Sequence, residues 1–157
     1  VYIQIHLDGP AGTLRVSGHG LPTVELLRAP GTRPDTHTPI GTRKAALLAL
    51  TVDGEPATLT AARGRLLRRS YRVDAVVGGH RYRLVPSSHV DSRLTRDGRK
   101  LGTLESEGDG RVDADWEPDA TPTPLDHAVG TALAAAFGTG AAPWWETVGD
   151  IVAELIP

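Results

Sequence analysis

TPLDHAVGTALAAAFGTG, residues Thr123 to Gly140, reads as one short, almost wholly apolar helix near the end of a chain that otherwise alternates like β-structure. After its first turn the only polar side chain before Gly138 is Thr131. A helix on a protein surface carries a charged face, whereas one that is apolar all round belongs in an interior. From Leu125 to Phe137 the helix would be about 20 Å long at 1.5 Å per residue. That falls short of the roughly 20 apolar residues a bilayer span needs. The strands before it are therefore expected to bury it; an Ala-rich helix lying on an open sheet is the alternative. Thr123 suits the N-cap, Pro124 the first helical position, and Asp126 the positive end of the helix dipole. Gly138 and Gly140 offer a left-handed C-cap. Ala128, Gly130, Ala132, Ala134, Ala135 and Ala136 keep the helix slim enough for strands to close around it.

Upstream, the pattern is that of an antiparallel meander. Tyr2 to Leu7 alternates, with Ile3, Ile5 and Leu7 on one face. Short strands follow at Thr13 to Ser17 and Thr23 to Arg28. Ala29 to Pro39, APGTRPDTHTP, has no apolar period and three prolines, and is expected to be an exposed loop. Ala45 to Val52 has helical propensity, but Asp53-Gly54 is a hairpin signal with Ala57 to Thr60 beyond it, which favours strands. Arg65 to Val77 predicts one long strand, turned by Gly78-Gly79 into His80 to Val85. There His80, Tyr82 and Leu84 share one face, and Arg81, Arg83 and Val85 the other. Val90 to Arg96, the Asp97-Gly98 turn, Arg99 to Glu105 and Arg111 to Trp116 complete roughly ten strands. The last should place Val112, Ala114 and Trp116 inward. After the apolar helix, Pro143 to Ile156 predicts an amphipathic helix, with Trp144, Val148, Ile151, Val152 and Leu155 on one face and Glu146, Asp150 and Glu154 opposite.

The chain is 157 residues long, suited to a single domain: a meander over 1–119, a buried helix over 123–138 and an amphipathic helix over 143–156. It has no cysteine, so disulfides and thiolate chemistry are excluded. No signal-peptide pattern is visible, because the opening VYIQIHLDG alternates. The expectation is a cytoplasmic protein without a transmembrane segment, with peripheral membrane attachment as an option.

The run SYRVDAVVGGHRYRLV, the DGRKLGTL turn, VDADW and PLDHAVGTALAAAF together resemble the tubby C-terminal-like superfamily, which includes LURP-one-related proteins and phospholipid scramblases. The resemblance spans about Leu66 to Phe137. It implies an antiparallel β-barrel enclosing a hydrophobic C-terminal helix, with Asp126 as the acidic residue that opens that helix. The second helix, Pro143 to Ile156, departs from the family pattern.

Charge is unevenly spread. Between Arg63 and Lys100 stand eleven basic residues against three acids; beyond Lys100, Arg111 alone faces eleven acids. Such asymmetry can make a basic face for phosphates. Tubby proteins bind phosphoinositide headgroups through such a face, so the resemblance implies an anionic phospholipid or an acidic protein partner, with Arg68, Arg72, Arg81 and Arg83 as the candidate anion-binding residues. The competing account pairs these arginines with acids of the second half, Asp113 and Asp115 among them, and surface charge runs are usually solvated or paired. Nucleic acid is disfavoured by scarce aromatics and a net charge of −2.

Asp109, Asp113, Asp115, Glu117 and Asp119 crowd one stretch, but without EF-hand spacing, and a solvated acidic edge explains them. The six histidines make no i, i+4 pair and no HExxH. His127, one residue into the apolar helix, is expected to reach solvent or a carbonyl at the barrel mouth. No GxSxG or phosphate-loop motif is present. A helix filling the barrel leaves little room for a substrate. The expected function is therefore a non-catalytic binding or adaptor module, with no cofactor and no metal. A lipocalin-like carrier of a small apolar ligand, with the helix packed outside an open barrel, and an enzyme of unrecognised mechanism are the alternatives.

Overall fold

Three two-residue turns set the register of the sheet. Asp53-Gly54, Gly78-Gly79 and Asp97-Gly98 hold positive φ at both positions, which matches the right-handed twist of the strands they join. The computed structural model describes residues 2–62 and 71–139. Among these are ten strands: β1 (Gln4–Asp8), β2 (Thr13–Ser17), β3 (Val24–Arg28), β4 (Leu48–Val52), β5 (Glu55–Ala61), β6 (Val73–Val77), β7 (His80–Pro86), β8 (Asp91–Arg96), β9 (Arg99–Glu105) and β10 (Asp113–Trp116). They form one antiparallel sheet in chain order, β1 to β10, and no ladder joins β10 to β1 among the described residues. The fold is thus mainly β, an open sheet followed, among the described residues, by one α-helix.

That helix, α1 (Pro124–Phe137), is buried at every residue from Ala128 to Phe137. It packs against β1, β2 and β3 and also against β7, β8 and β9. Because both halves of the sheet reach one slim helix, the sheet curls around it. Leu14, Val16, Val24, Leu26, Tyr82, Leu84, Leu94 and Leu104 supply much of the wall. At Gly130 an added methyl would come within 2.5 Å of Leu94 Cδ2, so the missing side chain admits β8 against the helix. Within the sheet, Gly102 of β9 lets β10 lie close: a Cβ there would stand 2.6 Å from the Asp115 carbonyl. No helix among the described residues is long and apolar enough to cross a membrane.

One expectation needs correcting, and one needs a detail added. Of the long strand expected over Arg65 to Val77, residues 65–70 lie outside the described residues; among those described it runs only over Val73–Val77, and ahead of it Tyr71 is buried, its carbonyl accepting a bond from Arg43 Nη2 (2.6 Å). The loop from Ala29 to Pro39 is mostly exposed but docked. Asp35 accepts from Thr38 N (2.7 Å), Thr38 is buried, and the Ile40 amide donates to the Ala136 carbonyl at the helix end (3.0 Å). The remaining elements lie within a few residues of their expected bounds; Ala45–Leu47 forms a short 3-10 turn ahead of β4. The expected helix Pro143 to Ile156, with Trp144, lies outside the described residues.

Candidate functional site

The first turn of α1 is held by a carboxylate that does three jobs. Thr123 and Asp126 form a capping box: Asp126 N donates to Thr123 Oγ1 (3.1 Å), and Thr123 N donates to Asp126 Oδ2 (2.9 Å). Asp126 is fully buried. The Tyr82 hydroxyl donates to its Oδ1 (2.6 Å), and Arg96 Nη1 donates to both oxygens (2.8 and 2.6 Å). Burial alone would push this carboxyl up, but the bonds from Tyr82, Thr123 and Arg96 more than offset it and hold it below the usual carboxylate range. The same burial and the bond to Asp126 raise the Tyr82 phenol. The cluster is a structural anchor, with its donors and acceptors matched inside the fold.

One residue further on, the chemistry changes. His127 turns its ring edge-to-face onto Trp116 of β10 (centroids 4.6 Å apart, planes at 70°). Of the two expected surroundings, solvent or a carbonyl, it meets the first: it is half-buried and faces the open cleft. Burial lowers the pKa of His127 below its ordinary value. With Thr131, one turn along, it forms the floor of a cleft of about 430 Å³ between the two sheet edges. One wall is Tyr2, Ile3 and Ile5 from β1 and its lead-in; the other is Val112, Ala114 and Trp116 from β10 and its lead-in. Val112 and Trp116 pack against the core as the alternation of the sequence predicts, whereas Ala114 on the same face is exposed at the cleft wall. At its far end the seam narrows, since a Cβ on Gly110 would lie 3.5 Å from Leu7 Cβ. The cleft volume falls in the lower part of the range for small-molecule sites, roughly 300–1,000 Å³. A larger hollow of 520 Å³ beside Ala29 to Thr42 is lined by exposed charges, Arg33, Asp35 and Lys44.

Of the candidate anion-binding arginines, Arg83 already has an acidic partner. Arg83 makes a two-point ion pair with Asp74 on the neighbouring strand (Nε to Oδ1 2.8 Å, Nη2 to Oδ2 3.1 Å). Arg81 and Arg72 are exposed, and Arg68 lies outside the described residues. Other cations of the basic run are engaged too: Arg96 with Asp126, Lys100 with Glu117 (3.0 Å), and Arg99 with the Asp119 carbonyl (3.0 Å). Their partners are not Asp113 and Asp115. The Arg83 partner was within reach of sequence reasoning, because folding the chain about Gly78-Gly79 sets Asp74 opposite Arg83. Arg43 gave no such signal. Its guanidinium lies over the rings of Tyr71 (5.1 Å) and Phe137 (5.7 Å), and burial lowers its pKa to about 10. Among the described residues no group of three or more His, Asp or Glu side chains gathers as a metal site would require. No protein-family model matches the chain, and no curated protein or solved structure does either.

Proposed function

We propose that this chain is a non-catalytic binding module that takes a small, largely apolar ligand in the cleft between β1 and β10, with α1 as its floor. The observation that carries this reading is the composition of the cleft: five apolar side chains on two facing strand edges, converging on His127 and Thr131. It keeps the carrier idea but moves the cavity. The helix fills the interior, so the space for a ligand is the seam of the sheet. On this reading the sheet is a barrel whose last joint is unzipped, and a ligand covers apolar surface that a closing ladder would otherwise bury. The order of elements supports descent from the tubby-like group: a meander, then an apolar helix opened by an acid at Asp126.

Ala114 is exposed at the cleft wall, so Ala114→Trp should fill the space without disturbing the core. Titration calorimetry with 1-decanol as probe is expected to show binding to the wild type and none to the variant. The melting temperature should stay within a few degrees, as for surface changes of about 0.5 kcal/mol. Undiminished binding by the variant would exclude the cleft.

A second reading, an anionic-lipid face, has one observation in its favour. Arg72, Arg81 and Arg93 are exposed and have no acidic partner among the described residues. Arginine suits phosphate because its planar fork donates two bonds at once. Under this reading the protein co-sediments with anionic vesicles at low salt, less so as ionic strength rises, and R81Q/R83Q abolishes it. If the arginines serve the sheet alone, the wild type ignores the vesicles at low salt. The double variant then loses only about 1 kcal/mol or less, the worth of a partly exposed pair.

A further inference from the structure

Thr131 is only 3 % exposed, and what it faces is the cleft. A threonine inside a helix ordinarily bonds back to the carbonyl one turn earlier. This hydroxyl has no hydrogen-bond partner among the described residues, and neither do the ring nitrogens of His127. The hydroxyl opens onto the cleft, where a ligand's polar group can reach it. Both groups can donate and accept. Neither carries charge while His127 is neutral, which its burial favours. No Lys or Arg lines the cleft among the described residues, and Arg96 of β8, beside the helix's first turn, is committed to Asp126.

Resting on the cleft reading above, we infer that the ligand is an uncharged amphiphile of the long-chain alcohol class, its single hydroxyl placed on Thr131 and His127 and its apolar body between Ile3, Ile5, Val112 and Trp116. A carboxylate of the same length is discriminated against, because it would lose its hydration in a site whose described lining holds no Lys or Arg. The recognition follows the rule that an apolar pocket fixes orientation through few polar groups.

The test compares 1-decanol with decanoate by titration calorimetry at about pH 8, where the acid is ionised and the imidazole neutral. Wild type should bind decanol, and bind decanoate about tenfold more weakly or worse. Thr131→Val keeps the shape and removes the hydroxyl, and should weaken decanol about fivefold while leaving decanoate unchanged. Thr131→Ser should retain the wild-type affinity, and Thr131→Ala against Thr131→Ser carries the same comparison if the valine variant does not fold. Equal affinity for both probes, or no effect of removing the hydroxyl, overturns this inference. The cleft reading survives that result as long as Ala114→Trp still blocks decanol. Failure of wild type to bind either probe overturns both.

Discussion

Ala135→Asp will leave no stably folded domain. Ala135 is completely buried and its neighbour Ala134 nearly so, in a run of ten buried residues. The arginine nearest the start of the helix, Arg96, already serves Asp126. An unpaired carboxylate in such surroundings costs several kcal/mol even after it takes up a proton. A domain of this size holds only about 5–15 kcal/mol in total, and the slim helix touches both halves of the sheet, so its loss removes the core common to both. Circular dichroism on heating should show no cooperative β transition, and Ala134→Asp should behave alike. A melting temperature within a few degrees of wild type for either variant would mean that the strands do not enclose the helix.

Asp126→Ala should cost about 3–5 kcal/mol, the penalty for breaking a buried ion pair by removing one partner. The change strips the capping box from α1 and leaves the Tyr82 hydroxyl and the Arg96 guanidinium without their acceptor. The effect has a pH signature. The folded-state pKa of Asp126 is depressed, so its contribution is fully present above the unfolded value of about 4 and is lost as pH falls through the lower folded value. Urea midpoints of wild type and variant should therefore lie far apart at neutral pH and draw together in acid. Tyr82→Phe, which removes a donor and leaves the ion pair, should cost only about 1–2 kcal/mol. A gap between wild type and Asp126→Ala that stays constant into acid would show that the carboxylate works as a cap and not as a charge.

What the sequence made legible was local. Asp-Gly and Gly-Gly pairs marked three hairpins, and Thr123, Pro124 and Asp126 marked the helix start because capping needs those chemistries within one turn. The absence of charge from Ala128 to Phe137 announced burial, and every residue of that run is buried. What stayed hidden depends on pairing across distance. Asp126 reads as a dipole partner, yet its bonds run to Arg96 and Tyr82, which are 30 and 44 residues away. Alternation told which face of β10 looks inward, but not that β1 stands opposite it with a gap between, since a period-2 pattern carries no information about non-sequential neighbours. Charge counted along the chain likewise ignores partners one strand over, such as Asp74 for Arg83. Arg43 inverts the usual expectation altogether, a cation stacked on Tyr71 and Phe137 in the interior.

The central claim is that the open seam over α1 is the binding site, and the most direct measurement is an isotope-filtered nuclear Overhauser experiment on the wild-type protein with 1-decanol. The account predicts cross-peaks from the alkyl chain to the methyls of Ile3, Ile5 and Val112, and from the carbinol protons to the γ-methyl of Thr131. Cross-peaks confined to outward-facing side chains such as Val76 or Leu27, with none to Ile5 or Thr131, would contradict it.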